Sequence, residues 1–158
     1  MSRTTPLRFR RTRWACVGLA LLFGFVASAM EPKPPAWGVV EIPKARTSIY
    51  IGSVTLLVPT LTRDGQSYRG PYEAKVFPFA FYNEAGTLTV HVSDEQLAAL
   101  ARGEPIEFTG LAVTTKGSDR RVVGKATPID ATHGTLKVRV HARGVDLIFN
   151  TSYRFAEK

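Results

Sequence analysis

Apolar and polar residues alternate with a period of two along much of the chain. Residues 87–92, 134–142 and 145–155 place Leu, Val, Phe and Tyr side chains on one face of an extended chain and mostly polar side chains on the other. Successive side chains of a β-strand point to opposite faces. The pattern therefore predicts three strands, each with one face buried and one face in water.

Further strands are indicated by other patterns. Residues 49–58 are β-branched or apolar on both faces, which is typical of a buried strand, and residues 105–115 and 120–126 flank a turn at Lys116–Asp119. With the segment 74–82, this gives about seven strands and turn signals every 8–12 residues. We therefore expect an all-β, mainly antiparallel domain over residues 49–158, built as a sandwich or a barrel, two architectures that share this periodicity.

One short helix is predicted near residues 94–102. Ser93 is a good N-cap, and Gln96 three residues later completes a capping box. Gly103 follows the last helical position and can adopt the left-handed conformation that ends a helix. The helix is expected to close one end of the barrel or sandwich.

The segment 74–82 carries a stripe of aromatic residues. If it is extended, Phe77, Phe79 and Phe81 share one face, while Pro78 restricts it to an edge or bulged strand. Such a stripe is most often core, because each ring buries a large apolar area. The alternative is that Phe77, Phe79, Phe81 and Phe149 line a cavity for an apolar ligand.

The chain begins with the pattern of a secretory signal peptide. Residues 1–29 combine five arginines, an apolar run from Ala15 to Val26, and the small residues Ala27-Ser28-Ala29. The apolar run is shorter than the ~20 residues that span a bilayer. Residues 30–48 contain four prolines and are predicted to form a linker or an extended arm. The protein is expected to be periplasmic or secreted, with the leader either cleaved or kept as an anchor.

Removing residues 1–29 changes the charge. Five of the 21 basic residues lie there, which leaves 16 against 13 acidic residues and a net charge of +3. This balance does not favour a nucleic-acid partner, which needs a dense basic surface. Cys16 also lies in the leader, so the remaining chain folds without disulfides.

The remaining charge is uneven and suggests a binding face. Residues 116–158 contain nine basic and four acidic residues. Lys137, Arg139, His141 and Arg143 are expected on one strand face, with Arg120, Arg121 and Lys125 close by in sequence. Such a face could bind an anionic partner, or it could be an ordinary solvated surface whose charges prevent strand pairing.

Catalytic and metal-binding patterns are weak. His91, His133 and His141 are not at ligand spacing, and no serine lies in a G-x-S-x-G motif. The acidic residues mostly lie at turn signals, where Asp is common. We predict no cofactor and no metal, and we rank a small hydrolase last among the functions considered.

The sequence thus favours an exported, non-enzymatic β-domain protein of the cell envelope that acts by binding or as a structural component. Its expected partner is an anionic envelope component. The alternative is a carrier of a lipid or other apolar molecule. Membrane contact is expected only through the leader during export, and the sequence leaves the oligomeric state open.

Overall fold

The computed structural model of the protein describes residues 37–156, so the predicted signal peptide at 1–29 lies outside the described residues. Eight strands and one α-helix follow one another along the chain: β1 Val39–Ile49, β2 Gly52–Asp64, β3 Ser67–Phe77, β4 Glu84–His91, α1 Asp94–Ala101, β5 Ile106–Thr114, β6 Asp119–Pro128, β7 His133–Ala142 and β8 Val145–Ala156. A short 3-10 helix, Ala80–Tyr82, lies between β3 and β4. None of the helices in this range is long and apolar enough to cross a membrane.

The strands form a closed antiparallel barrel. Each strand pairs with the next in sequence, and β8 pairs with β1. The prediction of an all-β antiparallel domain with one short helix is confirmed; the architecture is the barrel, with eight strands rather than about seven. Closure lets every strand bury one face in a single interior.

The additional strand comes from the proline-rich segment. β1 occupies most of residues 30–48, which we expected to be a linker or arm, and it pairs with both β2 and β8. The register of β1 against β2 shifts between Ile42 and Ala45, so Pro43 falls where the ladder is interrupted. A proline, which has no N–H to donate, is tolerated at such a bulge. The barrel therefore begins before the domain boundary expected at residue 49.

The aromatic segment 74–82 is a strand only in its first half. β3 ends at Phe77, and it starts at Ser67, earlier than the sequence indicated. Gly70 and Pro71 lie inside β3 at the gap in its pairing with β2, between the pairs Leu57–Glu73 and Thr62–Arg69. Because no β2 carbonyl is paired there, Pro71 removes no ladder bond to that strand.

The helix closes one end of the barrel. The Ser93 Oγ atom accepts a hydrogen bond from the Gln96 N–H at 3.3 Å, and the Gln96 side chain accepts one from the Ser93 N–H at 2.9 Å, which confirms the capping box. Leu97 and Leu100 are buried against the barrel interior. We call this end, where β4 ends and β5 begins, the helix end. The opposite end carries the β1–β2, β3–β4, β5–β6 and β7–β8 turns and is called the loop end.

The closing seam between β1 and β8 is short. Three residue pairs join the strands, from Val39–Ala156 to Glu41–Arg154. Beside them, the Trp37 and Phe155 rings stack with centroids 4.3 Å apart, and the Tyr68 hydroxyl donates to the Trp37 carbonyl at 2.7 Å. Aromatic packing at the helix end thus reinforces a seam with few ladder bonds.

Candidate functional site

Most of the predicted basic residues lie together on the outside of the barrel. Lys137, Arg139 and His141 occupy alternate positions of β7 and point outward. The register places Lys137 directly opposite Lys125 and His141 opposite Arg121, both on β6. We call these five residues the basic face. The register between β6 and β7 thus places these charges side by side on the barrel, whereas the sequence shows only that they lie close together along the chain.

Arg143 lies elsewhere. It occupies the β7–β8 turn with a φ of 49°, next to Gly144 with a φ of 80°. Two consecutive positive φ angles suit a tight hairpin turn between twisted strands. The Arg143 guanidinium lies 5.4 Å from the centre of the Tyr82 ring, at the loop end. The expectation that it shares the face of Lys137 is therefore corrected.

Part of the basic face is already neutralised. Asp146 on β8 contacts His141 Nδ1 at 2.5 Å and Arg139 Nη1 at 3.8 Å. Lys125 and Lys137 form no ion pair within 4.0 Å in the described range, although Glu107 on β5 is opposite Lys125 in register. Arg121 likewise forms no ion pair within the described residues, so the uncompensated charge of the face lies on Lys125, Lys137 and Arg121.

A shallow groove adjoins the two lysines. It runs from the start of α1 across β5, β6 and β7, and three cations, Lys125, Lys137 and Arg139, outnumber the one carboxylate in its lining, Glu107. The Gln96 amide, also in the lining, donates to the Glu107 carbonyl at 2.6 Å. The groove combines cations with hydrogen-bonding groups, which suits an extended anionic partner better than an apolar one.

The barrel interior contains an apolar void of about 90 Å3. Phe149 lines it, together with residues such as Val58 and Leu136. The other residues proposed for an alternative cavity, Phe77, Phe79 and Phe81, are not in its lining. Phe77 and Phe81 are 69% and 74% exposed at the loop end, because the chain leaves the sheet after Phe77.

A buried polar cluster, which the sequence analysis missed, lies at the loop-end side of the interior. Arg120 points inward and makes two hydrogen bonds to the Glu84 carboxylate, Nε–Oε1 at 3.2 Å and Nη2–Oε2 at 3.0 Å. Nearby, Tyr72 is 5% exposed and its hydroxyl has no hydrogen-bond partner in the described residues. The sequence does indicate this orientation, because Arg120 lies an even number of residues from Val122 and Ala126 and so faces the same side of the strand.

The same cluster perturbs the acidity of Tyr72. Burial, helped by the nearby Glu84 carboxylate and opposed by the Arg120 guanidinium, raises the pKa of the Tyr72 phenol to about 12. The phenolate form of Tyr72 is disfavoured because the ring lies in a poorly solvated interior. Tyr72 is consequently a neutral hydroxyl over the ordinary pH range.

The histidines are separated. His91 Nδ1 lies 2.9 Å from the Ser67 hydroxyl, His133 pairs with Asp130 at 2.6 Å, and His141 pairs with Asp146. No carboxylate contacts His91 in residues 37–156, so the Ser67–His91 pair lacks the acid that orients the imidazole of a hydrolytic triad. Within the same residues, no three His, Cys, Asp or Glu side chains are grouped to hold a metal ion.

Comparison of the chain with protein-family models, with curated proteins and with solved structures gave no match.

Proposed function

We propose that this protein is an exported, non-enzymatic binding protein that holds an anionic component of the cell envelope on its basic face. The observation that carries the proposal is the direct cross-strand pairing of Lys125 with Lys137, neither of which forms an ion pair with any residue from 37 to 156. Like charges at opposite positions of an antiparallel pair are unfavourable. An anionic partner in the adjoining groove removes that repulsion, so binding and sheet stability reinforce each other.

The partner is expected to be extended and to carry several charges. The groove is open and shallow, and its cations lie on two strands, so a polymer of carboxylates or sulfates can contact Lys125, Lys137 and Arg139 at once. Exposed charges contribute little singly and are screened beyond ~8 Å at physiological salt. Binding should therefore weaken steeply as salt rises.

The test compares two double variants that remove the same charge. Lys125→Gln with Lys137→Gln removes the central cations, and Lys44→Gln with Arg46→Gln removes two exposed cations from β1. Calorimetric titration with polygalacturonate and with dextran sulfate should show affinity about tenfold lower for the first variant, equivalent to ~1.4 kcal/mol. The β1 variant should bind as the unaltered protein does. Equal losses in both would mean that only net charge matters, and the proposal would fail.

A second candidate, the carrier of an apolar molecule, is supported by the interior. The void is almost entirely apolar and adjoins the seam between β1 and β8. Beyond the three ladder pairs of this seam, the Thr151 hydroxyl donates to the Pro43 carbonyl at 3.2 Å. The volume of the void, about 90 Å3, is below the ~300 Å3 typical of small-molecule sites. A bound lipid chain therefore requires the seam between β1 and β8 to widen.

Native mass spectrometry of the protein purified from its own host tests the carrier. A carrier should show added mass, and Ala126→Leu, which fills the void, should abolish it. Thr127→Val changes the adjacent outward position and is the matched control. No added mass in the unaltered protein, or added mass retained by Ala126→Leu, would leave the basic face as the sole candidate.

A further inference from the structure

The loop end exposes an unusual amount of apolar surface. Tyr50 and Ile51 in the β1–β2 turn are 103% and 61% exposed, and Phe77, Phe81 and Tyr82 are 69%, 74% and 46% exposed around the β3–β4 connection. A monomeric soluble protein seldom places so many large apolar side chains together in water. We call these five residues the aromatic tip.

The two turns of the aromatic tip are held side by side. Ser53 pairs with Phe77 across β2 and β3. A Cβ atom on Gly52 would lie 2.0 Å from the Phe77 carbonyl oxygen, so the turns approach as closely as a glycine permits. The Phe81 and Tyr82 rings pack with centroids 4.4 Å apart. The tip is therefore one contiguous surface on a rigid barrel.

Cations border this apolar surface. Phe81 lines the same depression as Lys75, Lys116 and Arg143, and the Arg143 guanidinium lies over the Tyr82 ring. Lys75 is paired with Glu73 at 3.4 Å. In the part of the chain that the structure describes, neither Lys116 nor Arg143 has a carboxylate within 4.0 Å. Aromatic rings flanked by free lysine and arginine are the combination that favours the headgroup region of a bilayer.

The helix end of the barrel carries several exposed acidic residues. At the helix end, Asp64, Asp94, Glu95, Glu104 and Asp130 are exposed or half-buried. Two cations there are already engaged, Arg63 with Asp94 at 2.5 Å and Arg102 with Glu104 at 2.9 Å. Exposed charges of the other sign also occur at each end, Asp119 and Asp146 near the loop end and Arg69 and Arg154 near the helix end, so the two ends differ mainly in exposed apolar surface.

We propose that the aromatic tip docks the barrel onto an anionic lipid bilayer, with the Phe81 and Ile51 side chains in the headgroup and upper acyl region and Lys116 and Arg143 at the lipid phosphates. This goes beyond the expectation that the membrane is met only through the leader. It is independent of the basic face, which lies on the side of the barrel. A bilayer fits the tip better than a free anion, because a free anion would use the cations and leave the aromatic rings exposed.

Phe81→Trp provides a direct reporter of insertion. Trp37 is 8% exposed and Trp14 lies in the predicted leader, so the blue shift is measured as the difference from the unaltered protein, and this difference reports on position 81. We expect a blue shift with vesicles of equal parts phosphatidylcholine and phosphatidylglycerol, and none with inorganic phosphate. Every variant carries the same N-terminus, verified by mass, so any contribution of residues 1–29 cancels.

Vesicle sedimentation then separates the contributions. Ile51→Ser with Phe81→Ser should lower vesicle affinity at least about tenfold. Lys116→Gln with Arg143→Asn should lower it about 25-fold, since each of the two cations near an anionic surface contributes roughly fivefold. Asn tolerates the positive φ of Arg143. Ile129→Ser, which alters an equally exposed apolar residue at the helix end, should bind normally and serves as the control for exposed-residue changes.

Several results would overturn the proposal. Absence of vesicle binding is one. Loss of binding in Lys125→Gln with Lys137→Gln, but not in the tip variants, would assign vesicle binding to the basic face. A dimer in analytical ultracentrifugation that Ile51→Ser with Phe81→Ser converts to a monomer would make the tip a contact between two copies of this chain. Circular dichroism and urea midpoints of each variant exclude loss of fold as the cause.

Discussion

Arg120 and Glu84 form a two-hydrogen-bond ion pair inside the barrel, between residues 36 positions apart in the sequence. Their side chains are 10% and 21% exposed. The Arg120 Nη1 atom also donates to the Asp119 carbonyl at 3.0 Å. The guanidinium is thus satisfied by partners at the loop end and separates the apolar interior from the surface depression lined by Lys116 and Arg143.

Breaking this pair should be costly. In Glu84→Gln the Arg120 charge stays largely buried without a counter-charge, so the free energy of unfolding should fall by about 3 kcal/mol. Urea denaturation followed by circular dichroism measures the change. The double variant Glu84→Leu with Arg120→Met removes both charges and should recover most of the loss. Equal destabilisation by the single and double variants would show that the pair's electrostatics are not the cause.

Replacing Tyr72 by Phe should stabilise the barrel. The Tyr72 hydroxyl is buried and has no hydrogen-bond partner in the described residues, whereas phenylalanine has the same shape without the polar atom. Removing an unsatisfied buried hydroxyl should raise the free energy of unfolding by about 1 kcal/mol. The same urea titration checks this, with Tyr153→Phe as a comparison at a second buried tyrosine. A destabilised Tyr72→Phe would mean that the hydroxyl has a partner in solution.

Stability should decline in alkali. Burial raises the pKa of Tyr72 and of Tyr153 to about 12, against an ordinary 10.0, so the folded chain keeps both protons when the unfolded chain begins to lose them. Their contribution is fully present below pH 10 and is lost as the pH rises from about 10 to about 12. Each tyrosine adds at most ~1.4 kcal/mol per pH unit to the slope.

Urea midpoints across the alkaline range measure this slope. Tyr72→Phe and Tyr153→Phe should each reduce it, and the two together should reduce it further. Tyr50→Phe is the matched control, since that ring lies in water in the folded chain. A slope that both buried-site variants leave unchanged would contradict the assignment.

The β5–β6 pair contains a glycine that an aromatic ring covers. The Phe108 ring lies over Gly124, and a Cβ atom there would come within 2.3 Å of Phe108 Cζ. Gly124→Ala should therefore destabilise the barrel by about 1–3 kcal/mol through overpacking. Phe108→Leu frees the space, so adding it to Gly124→Ala should cost less than the sum of the single changes. An additive result in the double-mutant cycle would show that the two positions do not interact.

The periodicity of the sequence correctly assigned the faces of the later strands. Leu88, Val90 and Val92 point inward as predicted, and so does Leu136. The capping box at Ser93 was also predictable, because it depends on residues three apart. Alternation failed at Phe77 and Phe81, where Pro78 and the 3-10 helix take the chain out of the sheet, so a local pattern of aromatics did not indicate a buried face.

Sequence by itself determined an antiparallel β domain with one apolar interior, the turn at Lys116–Asp119 and the capped helix, because these depend on interactions between neighbours in the chain. Tertiary structure alone decided the rest: closure through β1 and β8, the pairing of Lys125 with Lys137, the burial of Arg120 against Glu84, and the gathering of the aromatic tip from two separate turns. Each of these joins residues whose proximity is set by register and barrel closure, which no local periodicity specifies.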